Sequence, residues 1–455
     1  MTGPDVVAAD EHRHRSRQAP HAWRAVAVLA LANLLNFYDR TIPAIVVEPL
    51  KAEFGLSDTD VGVLGGAFTV VYAVAGITLG RMADRGSRRR IMAAGLIVWS
   101  LFTAASGGAW SIASLLIFRL GVGVGEAAYA PAANSFIADL FPPDRRSRAV
   151  AVFQFGLPLG LTLAFFTTGA LVEAFDSYRA PFFLAAVPGI VVAVALLLIP
   201  EPRRGASETR SVGTGSVARP IRTVLAIPTM WWLILSGIGL QIAAYGVTTF
   251  LVPLFQRYFG LSLTQSAVNA GIVLGLTGLV GLALGGAAAD RAARRSRRGR
   301  LLVAAVSLSL AVPLTLWALS LPPDASGLFV LVFSTGWLQQ FTFHTSALPA
   351  VSDVVEPRLR ATGIALFFAA FYLLGGAFGP VIAGALSDTF AAAAPAGAAG
   401  ALSSEAVGLH DALRLLVPAA LAVAALGMFG ASRAVERDHA RMNDAMQTST
   451  TRAVP

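Results

Sequence analysis

The sequence predicts an all-α membrane protein of twelve transmembrane helices, arranged as two pseudo-symmetric six-helix bundles. Three observations predict it. Of 455 residues, 55% are hydrophobic and 13% charged, with a mean hydropathy of +0.66, whereas a soluble globular chain carries about 25% charged residues. Apolar stretches long enough to cross a bilayer recur along the whole chain, and loop charge patterns repeat between its two halves. A water-soluble fold is excluded, and lipid is the expected solvent.

The elements follow in order. A span needs about 20 mostly apolar residues. Twelve such runs occur, at 23–48, 59–80, 90–108, 111–140, 147–173, 180–199, 226–256, 264–289, 300–320, 326–354, 360–387 and 410–432. None alternates as a barrel strand would, so each reads as a helix. Residues 1–22, with Arg13, Arg15, Arg17 and three histidines, read as a disordered basic tail. The first span carries Asp39 and Arg40 and has no small-residue cleavage site, so it is not a cleaved signal. Residues 200–222, rich in Arg, Ser, Gly and Thr, read as a linker. The expected organisation is a tail (1–22), a six-helix bundle (23–199), the linker (200–222), a second bundle (223–432) and a tail (433–455).

Zero cysteines exclude disulfides, thiolate metal sites, iron–sulfur clusters and cysteine nucleophiles. The net charge of +9 would suggest nucleic acid in a soluble protein, but its distribution argues otherwise. With the N-terminus cytoplasmic, 29 Arg or Lys fall on the cytoplasmic side and 4 on the other: Lys51, Arg179, Arg257 and Arg414. Such an asymmetry places both termini in the cytoplasm and accounts for the basic charge without a nucleic-acid partner. The expected location is a bacterial inner membrane. Among the 35 basic residues, 34 are Arg, which a GC-rich coding bias explains.

Equivalent loops of the two halves carry equivalent charges. Gly80, Asp84, Arg85, Arg88 and Arg89 match Gly286, Asp290, Arg291, Arg294 and Arg295 at an offset of 206. Asp144, Arg146 and Arg148 are answered by Glu356, Arg358 and Arg360 at an offset of 212. Repeated halves are a transporter architecture with a substrate site near the bilayer midplane. The loop G-x-x-x-D-R-x-x-R-R after the second span resembles the signature of the major facilitator superfamily. The resemblance implies a cytoplasmic gate in which an acid near a helix end pairs with arginines. Its candidate residues are Gly80, Asp84, Arg85, Arg88, Arg89, Asp139, Arg148, Asp290, Arg291, Arg294, Asp353 and Arg360.

Asp39 and Glu126 are the acids well inside spans, joined by Arg40 and Arg119. Charges at depth are costly and are functional or paired within the bundle. At 1.5 Å per residue, Asp39 and Arg119 lie roughly 14 and 12 Å from the outer ends of their antiparallel spans, so they are level. Glu126 follows Arg119 by two turns on nearly the same face. All three can face one cavity. The glycines of Arg119–Glu126 are no phosphate loop, because they lie inside a membrane span. Gly121 and Gly125 instead form a small-residue packing face.

Asn36-Phe37-Tyr38-Asp39-Arg40 resembles both the anion:cation symporters and the spinster-like transporters. The run Gly123-Val124-Gly125-Glu126-Ala127-Ala128-Tyr129-Ala130-Pro131, followed by Ile137 to Pro142 and Arg146-Ser147-Arg148, is similar to the spinster branch. That resemblance implies proton-linked transport of lysolipids or sphingoid phosphates, with Asp39, Glu126 and Arg119 as the candidates for proton coupling. Candidate substrate contacts are Arg119, Arg40, Phe37, Tyr38, Tyr72 and Tyr129 in the first half. In the second half they are Gln241, Tyr245, Gln340, His344 and Tyr372. Gly375-x-x-x-Gly379-Pro380 and Gly156-x-Pro158-x-Gly160 read as flexible or closely packed gate segments.

The expected function is thus a proton-coupled secondary transporter of an amphiphilic anion. The alternatives are a small carboxylate symporter, since Arg119 and Arg40 suit a carboxylate as well as a phosphate, or a drug exporter. An intramembrane enzyme would need a nucleophile and a base, and His344 has no acid within its own span. No cofactor or metal is expected. The expected partners are the lipid bilayer, a small-molecule or lipid substrate and protons, with the chain a monomer.

Overall fold

The computed structural model describes the backbone over residues 4–202, 220–394 and 402–452, and side chains over the same residues except 4–20, 77, 81, 84, 143, 144, 147, 358, 361 and 445–452. Among the described residues every regular element is helical. The chain begins with α1 (Pro4–Ile45), α2 (Val47–Phe54), α3 (Asp58–Arg85), α4 (Arg88–Gly107), α5 (Ile112–Ala127) and α6 (Tyr129–Leu140). It continues through α7 (Pro143–Gln154), α8 (Gly156–Phe175), α9 (Ala180–Leu198), α10 (Pro220–Leu225) and α11 (Pro228–Arg257). Then come α12 (Leu263–Gly271), a π-helical turn (Ile272–Leu276), α13 (Thr277–Ala293), α14 (Arg297–Ala318), α15 (Ser326–Gln339) and α16 (Phe341–Val354). The last elements are a short 3-10 turn (Pro357–Leu359), α17 (Arg360–Phe371), a second π turn (Tyr372–Gly376), α18 (Phe378–Ala393) and α19 (Ser404–Arg452).

Twelve membrane crossings account for these helices. Ten stretches among the described residues are long and apolar enough to span by themselves. The other two expected spans, 23–48 and 326–354, are helical as well, as α1 and the α15–α16 pair. The fourth and tenth crossings both break near their middle, at Ala128 and Gln340, and these positions are 212 apart, the offset of the following loops. In the fourth, Pro131 supplies no N–H to the preceding turn. In the tenth, the chain tightens to three-residue bonds, Gln340 N–H to the Trp337 carbonyl and Phe343 N–H to the Gln340 carbonyl.

The first helix is described from upstream of the expected span. The helix starts at Pro4, within the segment expected to be a disordered tail. Helix nucleation is the costly step, and a tail of Ala, Glu, Arg and Gln extends a helix already nucleated by the span without paying it again.

Local sequence signals set the helix ends. Ser87 starts α4 by accepting from the Arg90 N–H, and Ser111 and Ser262 start α5 and α12 with reciprocal capping boxes. Gly55 closes α2 in the left-handed conformation, at φ 64°, which glycine adopts without steric cost.

The chain forms two compact units. The first comprises 1–42, 74–164 and 175–211, and the second 43–73, 165–174 and 212–455. In the first unit α4 packs against α9 and α5. The α4–α5 crossing requires glycine: a Cβ on Gly95 would sit 2.7 Å from the Gly125 carbonyl oxygen, and one on Gly125 would sit 2.7 Å from the Trp99 nitrogen. Backbones this close gain dispersion contacts that lipid cannot compete for. In the second unit α11 and α14 pack along α19, with α18 beside them.

Candidate functional site

In the first unit, α1 and α5 bring four formal charges together. Asp39 is 0% exposed, Glu126 1% and Arg119 6%. Arg40 clamps Glu126 with two bonds to one oxygen, Nη2 at 2.7 Å and Nε at 3.1 Å. Arg119 lies within electrostatic range of Glu126 and Asp39. Asp39 accepts from the Thr103 hydroxyl at 3.4 Å, near the long limit of a hydrogen bond. Its Oδ1 is buried with no hydrogen-bond partner among the described residues. Two acids and two bases balance formally, so burial is tolerable for the group where it would be prohibitive for one member. The distribution is uneven, however: Glu126 holds the close pair with Arg40, and Asp39 has the Thr103 hydroxyl at 3.4 Å with the Trp99 indole beside it.

The remaining candidates of this unit divide. Phe37 lies beneath the Arg40 guanidinium, 5.2 Å from ring centroid to Cζ, which places an apolar face beside the charge. Tyr38 is 9% exposed. Tyr129 is enclosed at 1% exposure, edge-on to Trp99 at 5.6 Å, and its hydroxyl donates to the Leu29 carbonyl. It fastens the broken fourth span to α1 rather than offering a free surface.

In the second unit, Tyr245 of α11 meets Tyr372 edge to face at 6.4 Å. Tyr372 opens the π turn, a feature that often marks functional helices. Gly376 in the same turn leaves room for the Tyr245 ring 3.5 Å from where a Cβ would stand. Gln241 and Gln340 are buried at 5% and 3%. Tyr72 stacks on Phe68 at 6.3 Å. His344 is exposed, flanked by Phe343 at 5.4 Å and Phe341 at 6.1 Å.

At the arginine-rich ends, several of the expected gate residues have partners of their own unit. Buried Arg88, at the start of α4, pairs with Asp139 at the end of α6. It also donates to Ser135 Oγ at 3.1 Å and to the Pro202 carbonyl at 2.9 Å. Glu201 accepts from the Ser87 hydroxyl and from the Arg88 N–H, the latter at 2.8 Å. Burial pushes the Glu201 carboxyl up, but those two donors and the Arg88 charge outweigh it and hold it below its ordinary value. Arg89 donates to the Ile199 carbonyl at 3.0 Å, and Arg148 lies 6.0 Å from the Trp23 ring. The second unit repeats the theme: Arg300 at the start of α14 pairs with Asp353 at the end of α16, at 3.5 Å. Arg360 donates to the Ser352 carbonyl at 3.1 Å. A Cβ on Gly80 would stand 3.8 Å from the Pro131 side chain, at ordinary contact distance, and Arg85, Asp290, Arg291 and Arg294 are exposed. The Asp84 side chain lies outside the described residues.

Among the described residues, a dense ionic network lies elsewhere, in the second unit, on residues the motif reading passed over. Asp58 at the start of α3 receives Arg257 bidentately, at 2.7 and 2.9 Å. It also accepts from Lys51 at 2.6 Å and Ser387 at 2.6 Å. Glu48 takes the Arg257 Nε at 2.8 Å. Asp388 of α18 caps α3 from outside, accepting the Asp58 N–H at 3.0 Å and the Thr59 N–H at 2.8 Å. A Cβ on Gly384 would lie 2.2 Å from the Asp58 carbonyl oxygen, so only glycine permits the approach. Segment 43–73 is thereby tied to α11 and α18. The sequence held a signal for it: Lys51 and Arg257 are two of only four basic residues on the arginine-poor side, where a cation has to be held by something.

The sequence profile of the Major Facilitator Superfamily matches residues 29–380. An MFS-type efflux pump of Mycolicibacterium smegmatis is 33% identical over 441 residues, covering 96% of this chain and 99% of that protein. A sphingosine-1-phosphate transporter of Mus musculus is 27% identical, over 80% of this chain and 69% of its own. The crystal structure of a bacterial homologue of the human lysosomal transporter spinster, inward-facing and unoccupied, superposes with a TM-score of 0.81. It is 27% identical and covers 92% of this chain and 98% of that one. With its helical fold, repeated halves and intramembrane charges, the chain is a multi-pass membrane transporter, not an enzyme, and belongs to the spinster-like branch of the major facilitator superfamily.

Proposed function

We propose that the chain couples proton movement to transport of an amphiphilic anion of the lysolipid or sphingoid type, by alternating access. The observation that carries this reading is the uneven charge cluster of the first unit. Glu126 is held by Arg40, while Asp39 is fully enclosed and has no cation in hydrogen-bond contact, only the Thr103 hydroxyl at 3.4 Å and the Trp99 indole beside it. A negative charge so poorly served is expensive inside a membrane, and a bound proton removes that expense. An anionic headgroup drawn to Arg40 or Arg119 competes with Glu126 for the same donors. Headgroup and proton can therefore be exchanged through one cluster. Phe37 beneath Arg40 supplies apolar surface beside the headgroup position, as an amphiphile needs.

The orientation we propose has both termini in the cytoplasm, because 29 of the basic residues fall on that side. Asp84 is assigned to the cytoplasmic gate on the loop resemblance. The chain is expected to act as a monomer in a bacterial inner membrane. The test is uptake of a fluorescent lysolipid into proteoliposomes under an imposed pH gradient. Saturable uptake that collapses with the gradient is expected. Transport of equal size without a gradient would remove proton coupling, and competition only by tail-less carboxylates would remove the lipid. A second reading is favoured by the similarity to the mycobacterial efflux pump: export of amphiphilic drugs, which the same assay separates by competition with cationic compounds.

A further inference from the structure

At the arginine-poor end of the second unit, the start of α19 meets the ends of α11 and α14 around one imidazole. His410 of α19 is buried. Its Nε2 lies 2.8 Å from the Leu319 carbonyl oxygen, and its Nδ1 lies 3.0 Å from Asp411 Oδ1. The ring stacks on Tyr258, which caps the end of α11, with centroids 4.1 Å apart and planes 6° from parallel. Tyr258 in turn donates its hydroxyl to the Leu321 carbonyl at 3.1 Å. Leu319 is the cap that follows α14, so its carbonyl belongs to the helix end that lacks intrahelical donors and carries the negative end of the dipole.

Both ring nitrogens therefore face oxygen. A peptide carbonyl can only accept a hydrogen bond, and so can an ionised carboxylate. A neutral imidazole has one N–H and serves one of them, leaving its other lone pair against an oxygen, whereas the imidazolium has two and serves both. The Tyr258 face and the end of α14 favour the cation as well. The charged groups around the ring are mostly engaged with one another. From α11 comes Arg257, taken by Asp58 and Glu48, and from α18 comes Asp388, which caps α3. On α19, Glu405 meets Lys51, while the charges of Asp411 and Arg414 both reach the Tyr258 hydroxyl. Asp324, in the turn after α14, is exposed. Asp411 is the carboxylate in contact with the ring. We propose that His410 is a proton-operated clasp. With the proton on, it ties α19 to the end of α14 and to Tyr258; with the proton off, the bond to Asp411 is lost and the tie loosens. The His410 side chain is 10% exposed and that of Asp411 47%, so solvent protons reach the pair. Tyr258 directly follows Arg257, and the clasp thereby sets how firmly that end of α11 is seated. It shares no residue with the Asp39 and Glu126 cluster and stands or falls without proton-coupled transport.

The test is thermal unfolding of the full chain in detergent at about pH 5 and about pH 8, on either side of the range in which imidazoles change charge. Other carboxylates and histidines titrate as well, so the quantity read is the change in Tm between the two pH values, compared between wild type and variants. The second bond exists only in the folded chain and only with the proton on. Its stabilisation is therefore present at the acidic end and lost as pH rises. Wild type should lose a few degrees more than His410→Gln on going to the higher pH. Asp411→Asn should flatten the response in the same way, because its amide can donate to an unprotonated Nδ1 and the neutral ring then keeps both contacts. Asp411 is half-exposed, and this variant carries the test should His410→Gln not fold. His21→Gln, at an exposed histidine, controls for the removal of any histidine and should keep the wild-type response. A response undiminished in the folded His410 or Asp411 variant, or diminished equally in the His21 control, overturns the proposal.

Discussion

The protein buries two clusters of charge that follow opposite rules. Around Asp58 in the second unit, one carboxylate receives donors from Arg257, Lys51 and Ser387, and its helix is capped by Asp388. Around Asp39 in the first unit, a carboxylate at zero exposure receives one hydroxyl at 3.4 Å. The first arrangement is what a fastening needs, since every lone pair is answered and the group is at rest in its charged form. The second is what an exchange site needs, since a group whose partners are few can trade a proton or a ligand at little loss. Burial alone does not distinguish function from structure. On the function proposed for the Asp39 cluster, the contrast lies in how many donors each of these two aspartates receives.

The largest effect should come from emptying the exchange site. Asp39→Asn combined with Glu126→Gln should reduce gradient-driven uptake in proteoliposomes to the level of protein-free vesicles, while the purified protein still unfolds cooperatively. Uptake that persists unchanged would show that coupling does not run through this cluster.

The fastening should answer differently, in stability before transport. Asp58→Asn leaves Arg257 and Lys51 without their shared carboxylate, and breaking a buried pair from one side costs about 3–5 kcal/mol. Thermal unfolding should report it, and adding Arg257→Gln should return part of the loss, because the stranded cation is then removed. A single variant as stable as the wild type would erase the contrast between the two clusters.

Packing around the same network gives a smaller effect. Gly384→Ala would place a methyl 2.2 Å from the Asp58 carbonyl oxygen, and overpacking of this kind costs about 1–3 kcal/mol. Gly327→Ala, with nothing within 4 Å of its Cβ, serves as the matched control and should be neutral or slightly stabilising.

The smallest effect is a pH dependence at the arginine-rich end of the first unit. Glu201 has its folded value depressed below the ordinary 4.5. Its contribution is therefore complete above that ordinary value and is lost as pH falls through the folded value. Glu201→Gln should flatten the acid limb of a stability-versus-pH curve by about 1 kcal/mol or less, because the side chain is partly solvated. An unchanged acid limb would place the acid sensitivity elsewhere.

How far the sequence could be read follows the same physics. The twelve crossings and the repeat were legible because lipid demands long apolar helices and loop charges set their sides. The buried acids Asp39 and Glu126 were legible because a charge inside such a run is conspicuous. Their partners were not. Level depths along α1 and α5 made Asp39 and Arg119 neighbours, yet the close pair is Arg40 with Glu126, a choice made by how the two helices are rotated. Tyr129, placed on a cavity wall by its motif, has its hydroxyl committed to Leu29.

By itself, then, the sequence determined solvent, span number, the twofold repeat and the identity of the costly charges, because each is written in composition or in spacing along one helix. Only the tertiary structure decided which charge meets which: the Arg88–Asp139 and Arg300–Asp353 pairs inside their own units, and Asp58 beneath Arg257 across 199 residues of chain. Such pairings depend on helix rotation and on glycines that let backbones touch, as Gly384 does against Asp58. Helix periodicity leaves both open, since rotating a membrane helix about its axis changes its partners without changing its hydrophobicity.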